Sequence, residues 1–173
     1  MIIVINGSVG VGKSTISWGL LERFEKAVML DGDYIGAVHP FEIYDQERIE
    51  YLYKTITHLV KFHMSNGYND FVLNYVFENH KELARLTAML EEAGQEVRSF
   101  LLTCSDEEQR KRILKRSNGR ITDQVEWELN RFLELNKILA KAQADGFIGR
   151  EINTTGKDIQ EIIDKIKSLC KIS

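Results

Sequence analysis

The apolar run Ile2-Ile3-Val4-Ile5 passes directly into Asn6-Gly7-Ser8-Val9-Gly10-Val11-Gly12-Lys13-Ser14-Thr15. A short, continuous, branched run closed by Asn-Gly reads as a strand buried on both faces of a parallel sheet. The segment after it, "KSTISWGLLERF", carries a helical pattern. Few folds put a glycine-rich turn between such a strand and a helix, and the spacing is G-x-x-x-x-G-K-[ST] from Gly7 to Ser14. In that pattern successive backbone N–H groups form a nest for phosphate oxygens, backed by the positive end of the following helix. The candidate nucleotide-contacting residues are therefore Gly7, Ser8, Val9, Gly10, Val11, Gly12, Lys13, Ser14 and Thr15. Lys13 is expected to reach the β- and γ-phosphates of ATP, and Ser14 to be a Mg²⁺ ligand. The plainer reading is that the glycines only shape a tight turn.

Further apolar runs follow at 27–31, 70–76, 97–103 and 147–153, each expected to be a strand. Between them Ile49, Leu52, Tyr53, Ile56, Val60 and Met64 recur at helical spacing. Asn79 with Glu82 opens another helix, Ser105 with Glu108 reads as a capping box, and Ile159 to Cys170 marks a last one. Strand and helix alternate five times without repeat or linker. This predicts one α/β domain over 1–173, a three-layer sandwich around a five-stranded parallel sheet in the order 2-3-1-4-5. In such sheets ligands lie beyond the carboxyl ends of the strands.

Three of these strand ends carry polar groups worth naming. After the second strand stand Asp31 and Asp33, flanking Gly32. In an extended segment both carboxylates would face one way, although Asp-Gly-Asp is also an ordinary turn. The third strand meets Asn74 where a Walker B strand would end near an acid that supports Mg²⁺; Asn74, Tyr75 and Glu78 could instead line a pocket. After the fifth strand comes Asn153, with Thr155 a candidate helix N-cap. The stretch 105–120 spaces Arg112, Arg116 and Arg120 four apart, on one helical face that is either solvated or functional.

Taken together, the phosphate loop, Asp-Gly-Asp followed by His39-Pro40, and Arg112-Ile113-Leu114-Lys115-Arg116 resemble the small P-loop kinases of the nucleoside monophosphate kinase fold. The chain is similar to the shikimate, gluconate and adenylylsulfate kinases and to the chloramphenicol phosphotransferases. The resemblance implies that Asp31 stands on the metal side and Asp33 acts as the base toward an acceptor hydroxyl. It also implies that Arg112 stacks on adenine, that Arg116 reaches the phosphates, and that Arg120 belongs to a lid at about 117–123, where Asn118-Gly119 breaks the helix. Asn153 occupies the place of an acid near adenine. Lys13, Asp33 and Arg116 are the catalytic candidates, and ATP with Mg²⁺ the expected cofactors, for a kinase that moves the γ-phosphate of ATP to a hydroxyl, or a phosphate, of a small acceptor. The alternative is a nucleotide-binding ATPase module that switches a partner protein and has no small acceptor.

Composition narrows the partners. A net charge of -3 disfavours a nucleic-acid backbone as main ligand, leaving a small-molecule acceptor. Nothing approaches the ~20 apolar residues of a membrane helix, and the first apolar run is too short for a signal peptide, so the chain is expected to be cytoplasmic. Cys104 and Cys170 lack metal spacing and read as structural, as do His58, His63 and His80. Trp18 and Trp127 are expected to be packing groups. Tyr34, His39, Arg48 and Tyr75 are candidate acceptor-site residues, while Asn136 and Lys137 begin "NKIL" and read as a solvated helix face.

Overall fold

The computed structural model describes residues 1–172 apart from Phe41 and Ile43. Five strands, β1 (Ile2–Gly7), β2 (Ala27–Asp31), β3 (Asp70–Asn74), β4 (Val97–Thr103) and β5 (Arg150–Asn153), pair in parallel in the order β2-β3-β1-β4-β5, with helices on both sides. β1 lies in the middle, in register with β3 from Ile2↔Phe71 to Ile5↔Asn74 and with β4 from Ile2↔Val97 to Gly7↔Leu102. The strand order therefore reverses at β1, where the glycine-rich turn leaves the sheet.

Alternation along β1 divides the core. Ile2 and Val4 face a cluster built with α3 (Gln46–Ser65) and α4 (His80–Glu92), including Leu52, Tyr53, Ile56, Phe77 and Leu86. Ile3 and Ile5 face the other side, where Ile16 and Leu20 of α1 (Lys13–Leu21) meet Ile162, Ile163 and Ile166 of α7 (Ile159–Cys170). A third, small cluster of Ile113, Val125 and Phe132, with Val9 against it, seats α5 (Asp106–Arg116) and α6 (Asp123–Asp145) on the glycine-rich turn. Cys170 is buried and Cys104 half-buried, and neither is in a disulfide.

Two strands are shorter than their apolar runs: β3 ends at Asn74 and β5 begins at Arg150. Asn6, fully buried, binds the chain just outside both, donating from Nδ2 to the carbonyls of Phe77 (3.3 Å) and Ile148 (3.2 Å), while its Oδ1 accepts from the Phe77 N–H at 3.0 Å. Gln143 likewise takes the Ile148 N–H and the Gly149 carbonyl.

Other local expectations change with their partners. Asp31 does not continue as extended chain: its Oδ1 accepts from the N–H groups of Asp33 (3.0 Å) and Tyr34 (3.3 Å), capping a one-turn helix, α2 (Gly32–Ile35). Ser105 caps α5 through the Glu108 N–H, but the reciprocal half of a capping box is absent because Glu108 pairs with Arg112 at 3.1 Å. The complete box is Asp158 with Glu161 at α7; Asp158 is the N-cap there, and Thr155 accepts from the Ser105 N–H instead. Asn136 is half-buried, donating to Asp106 and Gln109 at 2.8 Å each, so it fastens α6 to α5 where a solvated face was expected. Trp18 and Trp127 are not core residues, being 57% and 50% exposed. Among the described residues no helix is long and apolar enough to cross a membrane.

Candidate active site

A cleft of about 880 Å³ opens at the carboxyl ends of β1, β2 and β3, with α5 and α6 as its far wall. Its floor is the glycine-rich turn. Gly7 (φ +150°) has no room for a side chain: a Cβ would lie 2.8 Å from the Leu102 carbonyl oxygen and 2.9 Å from Val11. Gly12 (φ +103°) is the N-cap of α1 and turns the chain into the helix in a conformation that L side chains rarely adopt. Gly10, Gly12, Lys13, Ser14 and Thr15 line the cleft, as does Val9. Ser8 and Val11 point away: the Ser8 hydroxyl donates to the Phe132 carbonyl (3.3 Å), and Val11 is in the core. They hold the turn in shape.

Lys13 lies along the turn, its Nζ 3.1 Å from the Ser8 carbonyl oxygen. Burial lowers its pKa from 10.5 to about 8 against the attraction of Asp33 and Asp31, and Arg116 adds to the lowering. The amine is therefore a desolvated group within electrostatic reach of both aspartates. Asp33 also lines the cleft. Desolvation raises its pKa, opposed by Lys13 and Arg48 and reinforced by Asp31, which makes the carboxylate a stronger proton acceptor than a free aspartate.

Asn74 ties three elements together at this end of the sheet. Its Nδ2 donates to Asp31 Oδ2 at 3.0 Å and to Ser14 Oγ at 3.3 Å, drawing the ends of β3 and β2 and the start of α1 together. Asn74 Oδ1 is buried without a partner. Ser14 and Asn74 line the cleft and Asp31 does not; the carboxylate and the hydroxyl that the amide holds together are oxygen donors of the kind Mg²⁺ takes, with waters and substrate phosphates for the rest.

On the far wall Arg112 is committed along its edges. It donates to Val11 O (3.1 Å), Thr154 Oγ1 (3.1 Å) and Thr154 O (2.9 Å), besides its pair with Glu108. Four of its five N–H groups are thereby engaged, which fixes the guanidinium in the cleft wall. Arg116 pairs with Glu128 of α6 and lines the cleft. Arg120 and Asn153 are exposed and lie outside its lining; Asn153 Oδ1 accepts from the Thr155 N–H at 2.9 Å. Of the acceptor candidates, Arg48, Asn74, Tyr75 and Glu78 line the cleft, while Tyr34 and His39 do not. Arg48 hydrogen-bonds Tyr75 and holds the carbonyls of Glu42 (2.9 Å) and Gly36 (3.4 Å).

Sequence reasoning missed Arg131, only 11% exposed, which pairs with Glu78 and with Glu134 (2.6 Å) and donates to Tyr44 Oη at 3.3 Å. A lone cation on an amphipathic helix gives no signal that it faces a cleft. Thr154 and Gln109 were missed too: both are fully buried, and both carry backbone carbonyls of the turn, Gln109 taking Val9 O at 2.7 Å.

A family model described as AAA domain matches residues 2–139. The chain belongs to this family of P-loop proteins. No curated protein matches the sequence significantly. Among solved structures, the tunicamycin resistance protein of Deinococcus radiodurans aligns with a TM-score of 0.68 and 19% identity over 99% of this chain and 96% of its own. A sugar kinase from Janibacter sp. gives 0.69 and 14% over 99% and 95%. A gluconokinase from Sinorhizobium meliloti gives 0.64 and 14% over 94% and 87%. At these identities the likeness is one of fold, and the fold is the kinase-like P-loop fold.

Proposed function

We propose that the protein is an ATP-dependent kinase acting in the cytoplasm, moving the γ-phosphate of ATP to a hydroxyl of a small molecule. The observation that carries this reading is Asp33. It is a carboxylate of raised proton affinity in the same cleft as Lys13 and Ser14, whereas Asp31 beside it is spent on a helix cap and on Asn74. Phosphoryl transfer needs positioning and neutralisation of charge more than bond-making by the protein. The turn holds the triphosphate by its N–H groups, Lys13 and Arg116 balance its charge, and the face of Arg112 carries the base. Ser14 and the Asp31 carboxylate that Asn74 holds beside it would be the residues to hold Mg²⁺, which when bound would supply positive charge toward the phosphates. Asp33 orients the acceptor hydroxyl and takes its proton. Tyr75, Arg48, Glu78 and Arg131 form the acceptor half, a polar wall suited to a hydroxylated molecule.

The experiment is ATP consumption measured against a panel of sugars, sugar acids, nucleosides and antibiotics, with the product of any hit checked for a new phosphate ester. Stimulation by at least one small acceptor is expected. Slow hydrolysis that no acceptor changes would point to an ATPase module instead.

A further inference from the structure

An exposed tryptophan means little by itself: Trp18 is as open as Trp127, but it lies outside the cleft. Trp127 differs in where it stands. It lines the cleft with half of its surface open, and among the described residues its indole has no hydrogen bond, ion pair or ring partner. The lining residues Trp127, Arg131 and Leu135 follow at steps of four along α6. One helical face therefore carries an apolar group a turn to either side of the guanidinium. Arg131 is fixed by Glu78, by Glu134 and by Tyr44 Oη, which accepts from it at 3.3 Å and donates to Glu78 at 3.2 Å. The Tyr44 ring, like the indole, is left open beside this ion pair. Charge on this wall is already matched. Two carboxylates hold the one guanidinium of Arg131, and Arg48 acts on Asp33, so no cation here is spare for an acidic acceptor.

We propose that Trp127 is the specificity-determining residue of the acceptor half, and that the acceptor is an uncharged, hydroxylated molecule bearing an aromatic ring. An indole covers such a ring by offset stacking or edge to face, and it does so without regard to the ring's polar pattern. Its unused N–H is a donor for a polar group on the ring's rim. Leu135 extends the apolar surface, and Asp33 in the same cleft serves the hydroxyl. An open-chain polyol has no flat face to offer, and a sugar acid also meets the paired carboxylates at Arg131. The inference rests on the acceptor half of the reading above, and it concerns binding and not transfer.

Trp18→Phe leaves Trp127 as the sole tryptophan of the chain, so its fluorescence reads binding directly. Titrations with a nonhydrolysable ATP analogue present compare uridine, thymidine and 2-phenylethanol, which carry a ring, with gluconate and glycerol, which do not. At least one ring probe should change the emission to saturation and bind about tenfold or more tightly than either open-chain probe. By calorimetry, Trp127→Leu should lose about tenfold or more of the affinity for that probe, as removal of a stacking partner does, and Trp127→Phe should recover most of it. Circular dichroism checks that each variant folds. The proposal is overturned if no ring probe binds, if open-chain probes bind as tightly, or if Trp127→Leu keeps the wild-type affinity. It is overturned as well if Trp127→Leu weakens the ATP analogue tenfold, which would put the indole on the nucleotide's base. A ring probe that binds through Trp127 yet gains no phosphate is a different result: it upholds this inference and counts against the kinase reading.

Discussion

Lys13 shows how one residue links burial, charge and ligand. Its amine is desolvated, with a pKa near 8 in the free protein, down from 10.5. Below pH 8 it is charged; as pH rises through 8 it gives up its proton in the folded state, while an unfolded chain keeps it until about 10.5. Across that window the unfolded chain holds more protons, so this group makes the free protein more stable as pH rises. A triphosphate against the amine restores the charged form. Nucleotide binding should therefore take up protons at pH 8 and above and almost none near pH 6.5, with affinity falling as pH climbs. Calorimetry in buffers of different ionisation enthalpy measures this uptake directly. Binding at pH 8.5 with no proton uptake would show that Lys13 does not meet the phosphates.

At the scale of elements, α5, α6 and the turn between them form the part of the cleft most open to rearrangement. α5 ends at Arg116, with Ser117 its C-cap, and Asn118 (φ +52°) and Gly119 (φ +74°) turn the chain in the left-handed conformation. At the end of α5 the exposed Arg116 pairs with the largely buried Glu128 of α6. Residues 117–123 should exchange amide hydrogens quickly in the free protein and slow by about tenfold or more when a nonhydrolysable ATP analogue and acceptor are bound, as expected of a closing lid. Hydrogen exchange with and without ligands measures it; high protection in the free protein would contradict a lid.

The elements themselves were largely legible from periodicity: β2 and β4 have the bounds of their apolar runs. What periodicity could not show is where a side chain takes over backbone groups. Asn6 ties Phe77 and Ile148 to β1, and Asp31 ends its strand as the N-cap of α2. Of the residues that the motif and its neighbours picked out, Val9, Gly10, Gly12 to Thr15, Asp33 and Arg116 line the cleft. It was not legible at Arg131, whose partners Glu78 and Tyr44 come from distant parts of the chain.

For the whole molecule, the sheet, its two clusters and the cleft meet at Asn6. It joins β1 to the segments that follow β3 and precede β5 through three hydrogen bonds to backbone groups of Phe77 and Ile148. Replacing it by leucine would leave those groups buried without partners. Each unsatisfied group costs about 1–3 kcal/mol. Asn6→Leu should destabilise the fold by roughly 3 kcal/mol or more, a large share of the 5–15 kcal/mol typical of a domain. Urea unfolding should show a lower midpoint with an unchanged slope; an unchanged midpoint would mean that Asn6 is incidental. The same architecture brings the glycine-rich turn and Asp33 into one cleft, and the proposed kinase activity rests on that pairing. Its most direct test is the transfer rate of Asp33→Asn beside wild type, with the acceptor found by the panel and with ATP affinity measured in parallel. A kinase built this way should lose about 10²-fold or more in transfer while its affinity for ATP barely changes. Transfer at the wild-type rate by Asp33→Asn would contradict it.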